Sequence, residues 1–480
     1  MASPPQPQVD VDLGKLSYEI FSFLESKFLY GGGASGGGVC SLPGTPGRGP
    51  VGGGGARVRV LAIDGCGPGP GDALLAAAAL ARLEAALRAK AGDPDARVAD
   101  FFDAAAGAGA GGVLAAMLFV RGVDGRPKYT AADALAFVAA SLGKGGWGGG
   151  GGGWRERWAA LFRRGERSSD KSSLSASSSS SSLRRVFGDA TLRDTVAPLL
   201  VPCYDLATGA PFLFSRADAV ESDSFDFRLR DVCAATCAGG SAATAVRSVN
   251  GLTAIAAASG GVAAMGNPAA AAITHILHNK QEFPLAAGVD DLLVVSIGSG
   301  SSSGGTASGS ATPSAGWRTP IPPRSPSPAE MVRLTAEGVA DMVDQAVAMA
   351  FGHTCGRNYV RIQVSQSIKA LRSLEARKVV AIADGMLTQR NVEAELFRGR
   401  RLSEKSNREK LDAFATELVK EHDRRRDSPP GLLPNVAIKQ VSPTPPRLSS
   451  ATTSSAATTG TTGRTASTMP SPASTQDSGH

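Results

Sequence analysis

One unit occurs twice in succession near the start of the ordered-looking sequence: an apolar strand, a glycine-rich turn, then a helix. Arg57 to Ile63 (RVRVLAI) alternates and then turns apolar, which reads as a strand entering a sheet. It runs into Asp64-Gly65-Cys66-Gly67-Pro68-Gly69-Pro70-Gly71. Asp72 is then read as the N-cap of a helix from Ala73 to Lys90, stopped by Gly92. The second unit has a short buried strand from Phe101 to Ala105 and the run Gly107-Ala108-Gly109-Ala110-Gly111-Gly112. An apolar helix from Val113 to Val120 completes it. Two such units in a row predict an α/β fold: a mostly parallel sheet flanked by helices.

Further strands are expected at Leu199 to Tyr204, Phe212 to Phe214, Leu292 to Ile297 and Tyr359 to Val364. A last helix, Leu411 to Arg426, carries Leu411, Phe414, Leu418 and Val419 on one face. The chain divides accordingly. Residues 1–56 read as an amphipathic helix and a Gly/Pro-rich linker, and 57–298 as the α/β core with a low-complexity insert at 143–182. Residues 299–328 read as a Ser/Pro/Gly linker, 329–426 as a mainly helical part packing on the core, and 427–480 as a disordered Ser/Thr/Pro tail. No internal repeat is visible.

Bulk properties exclude several classes. The six cysteines are scattered through 480 residues, which is not the spacing of a disulfide framework. Cys233 and Cys237 are four apart, but no histidine pair at ligand spacing accompanies them, so no metal site is expected. The N-terminus has no basic region leading into an apolar one, and no long uninterrupted apolar stretch reads as a membrane span. A net charge of +7 favours anionic surfaces only mildly at this length. The expectation is a cytoplasmic protein, peripheral at membranes, with no nucleic-acid partner, no cofactor and protein partners left open.

The chemistry centres on the second glycine run. Acyl transfer needs an activated nucleophile and donors aimed at the developing oxyanion. One architecture places the nucleophile at a tight strand-to-helix turn of pattern G-x-S-x-G, where backbones come too close for larger residues. Gly107-x-Gly109-x-Gly111 has the strand before it and the helix after it, but Gly109 stands where the serine belongs. The same glycines formally match a dinucleotide fingerprint, yet no second strand ending in an acidic residue follows. Neither glycine loop contains the G-K-[ST] of a phosphate loop.

Three separated motifs in order resemble the plant patatin-like phospholipase (lipid acyl hydrolase) family, in the branch with G-x-G-x-G in place of G-x-S-x-G. They are VLAIDGCG at 60–67, AGAGAGG at 106–112 and ASGGVAAMGNPAAAAITHIL at 258–277. The segments at 202–215, 226–236 and 291–300 support them, so the likeness covers roughly residues 57–300. The resemblance implies an oxyanion loop at Gly65, Cys66 and Gly67, an elbow at Gly107 and Gly111, and a nucleophile slot at Gly109. It implies a catalytic aspartate within the last motif. That slot falls on Ser259 if Gly260-Gly261 is the family's glycine pair, and on Gly260 if counted back from Asn267-Pro268. Neither is a carboxylate, so both members of the Ser–Asp dyad are replaced. The loop's usual arginine is also absent.

What the resemblance implies is hydrolysis of fatty acyl esters of phospholipids and galactolipids, weakened by those replacements. A catalytically silent lipid- or acyl-binding protein is the alternative, and an interaction protein acting through its low-complexity tracts is a third. A water attacking beside Gly109 needs a base, and Asp64, Asp72 and Asp103 are the carboxylates nearest in sequence. Between the Gly and Ser runs, Trp154, Trp158, Leu161 and Phe162 fall near one face of a short helix flanked by arginines, a composition suited either to membrane contact or to packing within an insertion.

Overall fold

The computed structural model describes residues 56–65, 70–143, 177–238, 244–259, 266–284, 286–298, 325, 327–364, 376–395 and 399–427. Strand β1 (Val58–Ile63) is followed by helix α1 (Pro70–Ala91), β2 (Ala104–Gly107), α2 (Ala110–Phe119) and α3 (Ala131–Gly143). Next come α4 (Ser177–Phe187), β3 (Leu199–Asp205), β4 (Ala210–Ser215), α5 (Arg216–Glu221) and α6 (Leu229–Thr236). Strands β5 (Thr244–Arg247) and β6 (Ala254–Ser259), helix α7 (Ala269–His278) and β7 (Leu292–Ile297) follow. The chain continues through α8 (Pro328–Phe351), β8 (Tyr359–Ile362), α9 (Ala376–Thr388), β9 (Arg390–Glu395), β10 (Gly399–Ser406) and α10 (Asn407–Arg426).

Eight strands form one mixed sheet in the order β5-β6-β3-β2-β1-β7-β8, with β4 pairing β3 off that path. The five strands β3, β2, β1, β7 and β8 run parallel. Strands β4, β5 and β6 add antiparallel pairings on one side. Alternate residues of the central strands feed two apolar layers. Leu61, Ile63 and Val295 pack with Leu74 of α1, Val113 of α2, Val232 of α6 and Leu411 of α10. Val58, Val60 and Val294 pack with Ile273 and Ile276 of α7 and Phe351 of α8. A strand covered on both faces is mostly apolar on both, which is why β1 and β7 are apolar apart from Arg59, paired with Asp103, and Ser296, bonded to Arg361. Helix α2 is likewise buried all round, every residue of it.

The expected α/β sheet is present, with the helical C-terminal region expected after it. Several local boundaries differ. Helix α1 begins at Pro70, so Asp72 lies inside its first turn instead of capping it; proline's fixed φ and missing N–H suit that position. Gly92 ends the helix at φ 69°. Phe101 belongs to a single 3₁₀ turn, Val98–Phe101, and β2 starts only at Ala104. The Asp100 carboxylate accepts the Arg97 N–H at 2.8 Å and closes that turn. Helix α2 starts at Ala110, directly on the glycine turn. Part of the serine run is helical in α4, whose Leu183, Val186 and Phe187 enter the core. The antiparallel hairpin β9–β10 stands where helix was expected. Its strands carry little apolar alternation, and Arg401 pairs with Glu393 across them at 3.0 Å.

Candidate active site

Everything at the site follows from how β1 and β2 end side by side. Ile63 is level with Gly107, and the two strands point their carboxyl ends the same way. Beyond them the first loop and the second turn meet backbone to backbone. The Ala108 N–H donates to the Ile63 carbonyl at 3.1 Å, and the Ala110 N–H donates to the Gly65 carbonyl at 3.2 Å. A Cβ at Gly65 would stand 2.1 Å from the Gly111 nitrogen, and one at Gly111 2.2 Å from the Ile63 carbonyl oxygen. A Cβ at Gly107 would stand 2.4 Å from the Gly111 oxygen. Real side chains do not fit such gaps, so these glycines are there because two backbones touch.

Gly109 is the turn itself. It sits at φ 57°, ψ −127° as N-cap of α2, a conformation that is costly for any residue with a Cβ. Its N–H donates to the Thr236 hydroxyl oxygen at 2.9 Å, and that hydroxyl donates to the Pro202 carbonyl at 3.0 Å. Thr236 is fully buried at the end of α6. The turn is therefore tied to β3 through one side chain.

The third motif arrives at the same place by register. Strand β4 takes one edge of β3 from Leu200 to Asp205. Strands β2 and β6 therefore share the other edge, β2 at Leu199 and Leu200 and β6 from Cys203 to Asp205. Ser259 pairs with Cys203, the residue after the Pro202 that anchors Thr236. The level of Gly107 on β3 is Val201, so Ser259 lies about two residues, roughly 7 Å, beyond the end of β2. Three segments separated by 40 to 150 residues in sequence thus meet at one end of the sheet. Asn267 lies two residues before α7, and its side-chain oxygen accepts the N–H of the helix's first residue, Ala269, at 3.1 Å. Cys66, Gly67, Gly260 and Gly261, and the membrane-contact candidates Trp154, Trp158, Leu161 and Phe162, lie outside the described residues.

The expected bases fare differently. Asp103 stands at the start of β2, at the opposite end of the strand from Gly109. Its carboxylate pairs with Arg59 at 2.9 Å and with Arg425 at 2.8 Å. Burial pushes its pKa up, but the two guanidiniums outweigh this and hold it below the usual carboxylate range. Asp64 is at the right end of the sheet, yet its carboxylate is paired with Arg361 at 2.6 Å, both side chains buried. The side chain of Asp72 is outside the described part. Cys203, beside Ser259, is no substitute nucleophile: burial, with Asp205 nearby, pushes its thiol up to about 12. Among the described residues no group of His, Cys, Asp or Glu is arranged to hold a metal ion, and no helix is long and apolar enough to cross a membrane.

Sequence reading missed Thr236 and Arg361. Thr236 lies within the supporting segment 226–236, whose match carried no role for it. Arg361 looked like one more residue of a strand.

The patatin-like phospholipase family model matches residues 61–273, from the middle of β1 into α7 and so across all three meeting segments. Patatin-like protein 3 of Oryza sativa subsp. indica is 53% identical over 429 residues, covering 87% of this chain and 93% of that protein. The chain belongs to the patatin-like family. Patatin-like protein 7 of Arabidopsis thaliana is 43% identical over 450 residues, covering 91% of this chain and 86% of the relative. A third relative, "Probable inactive patatin-like protein 9" of Arabidopsis thaliana, is 38% identical over 416 residues, covering 86% and 94%. The patatin-like family is of lipid acyl hydrolase type and acts on lipid substrates.

Proposed function

We propose that this patatin-like chain hydrolyses fatty acyl esters of membrane phospholipids and galactolipids, weakly and without a covalent acyl-enzyme. The observation that carries the reading is the turn at Gly109. It keeps a costly backbone conformation and is packed against Gly65 at distances only glycine allows. An ester carbonyl placed over that turn stands beside Gly65, the first residue of the loop that the resemblance assigns to oxyanion binding. Gly109 supplies no side-chain oxygen, so the attacking group is a water in the space a serine side chain would fill. Neither Ser259 nor Gly260 is a carboxylate, which removes the dyad's base as well. Backbone donors and binding still contribute: serine proteases stripped of their triad retain roughly 10³–10⁴-fold over water.

One observation favours a second reading, a lipid-binding pseudoenzyme. Asp64 and Asp103 are both committed to buried guanidinium pairs, so neither is free to take a proton from that water. Fatty acid release from phosphatidylcholine, a galactolipid and a simple aryl ester separates the two. The control is Gly67→Val, checked for folding by circular dichroism. Release by the natural chain that the folded control lacks supports hydrolysis. Lipid binding with no release above the control overturns hydrolysis and leaves the pseudoenzyme.

A further inference from the structure

The pair that disqualifies Asp64 as a base has a geometry of its own. Arg361 is on β8, two strands from β1, with β7 between them. Ala62, Ser296 and Arg361 form one row across β1, β7 and β8. Two residues on, on the same face by strand alternation, come Asp64, Gly298 and Gln363. The guanidinium lies along this face and spans β7. Its Nη2 donates to Asp64 Oδ2 at 2.6 Å, its Nη1 to Ser296 Oγ at 2.6 Å, and its Nε to Gln363 Oε1 at 3.3 Å. Asp344 of α8 stands 3.7 Å from Nε and also accepts the Tyr359 hydroxyl at 2.6 Å. Gly298 clears the path: a Cβ there would stand 2.7 Å from Nη2 and 2.8 Å from Cζ. The guanidinium is 6% exposed at its side chain and Asp64 3%, so the pair is shielded from solvent screening.

We propose that Arg361 is a positioning residue for the oxyanion loop, acting through Asp64; this rests on the reading of Gly65–Gly67 as that loop. Asp64 is the residue at which β1 becomes the loop. Its N–H donates to the Ile297 carbonyl at 2.9 Å, and Gly65 beside it is locked against the elbow through its carbonyl. The backbone at residue 64 is fixed on the strand side by β7, and its side chain is fixed by a planar fork with all three nitrogens engaged. Oxyanion binding requires donors in a fixed orientation, and Asp64 and Gly65 are the described residues from which this loop departs. Lysine keeps the charge but loses the fork, so it does not replace arginine here.

Arg361→Lys and Gly298→Ala test this. The first removes the fork and the second displaces it, while both keep the buried carboxylate opposite a cation. Hydrogen exchange resolved along the chain is expected to quicken at residues 64–67 in both variants, with the amides of β7 and β8 still protected. Unchanged exchange at 64–67, or exchange that rises equally across β7 and β8, overturns the proposal. A second arm measures binding of oleate and of oleyl alcohol, which share a chain and differ in the anionic oxygen. Oleate affinity is expected to fall roughly 10-fold in the variants, about one charge-assisted hydrogen bond, with the alcohol unaffected. Should the natural chain fail to prefer oleate while loop exchange still responds to the variants, the oxyanion-loop reading falls and takes the proposal with it, leaving Arg361 as a support of the end of β1 alone.

Discussion

At the elbow one hydroxyl connects three backbones. Thr236 accepts the Gly109 N–H and donates to the Pro202 carbonyl, and it is wholly buried. Thr236→Val keeps the shape and strands both partners in an apolar setting. The expected loss is about 1–3 kcal/mol of stability, read from the urea midpoint, and Thr236→Ser is expected to restore most of it. Equal midpoints for Val and natural Thr would show that the hydroxyl does not hold the turn. Two glycines of this turn answer a local demand, a positive φ at Gly109 and contact with Gly111 at Gly107, and Gly111, which meets Ile63 from the other loop, was legible through the G-x-G-x-G pattern they share. Thr236 answers a demand set 127 residues away, and Asp64 finds Arg361 across 297 residues. Nothing local marks either partner.

Elements show the same division. Strands buried on both faces are mostly apolar, and β7, apolar but for Ser296, was readable to the residue. The hairpin β9–β10 was not, because Val392 is its one buried apolar residue among those with a described side chain. The junction of the first loop with α2 depends on glycine for contact, whereas the end of α1 depends on it only for conformation. Gly111→Ala is therefore expected to yield no folded, soluble protein, since its Cβ would meet the Ile63 carbonyl. Gly92→Ala meets nothing within 4 Å and strains only its φ of 69°, so it is expected to cost about 1 kcal/mol. Expression and thermal unfolding of the two variants check the contrast, which fails if both behave alike.

Across the whole molecule, α10 closes back onto the start of the sheet through charge. Arg425 reaches Asp103, Arg59 pairs with the same carboxylate from β1, and Glu421 accepts the Arg57 N–H at 2.8 Å. Burial pushes both acids up, but Arg59 and Arg425 hold Asp103 below its usual range. Arg424 and the Arg57 N–H, among others, do the same for Glu421. A depressed carboxyl stabilises the fold above its unfolded pKa, near 4, and stops doing so as pH falls through its folded value. The urea midpoint is accordingly expected to change little due to these acids from pH 8 to 5 and to drop below about pH 4. Asp103→Asn is expected to cost about 3–5 kcal/mol at pH 7 and to flatten part of that drop. The central claim is that this sheet supports ester hydrolysis from a slot without a nucleophile. Its most direct test incubates the purified chain with excess aryl fatty acid ester. Free fatty acid and intact protein mass are then read from the same sample over successive turnovers. The prediction is fatty acid accumulating beyond one equivalent while the protein mass stays unchanged. A protein carrying one acyl group, or no release at all, would contradict it.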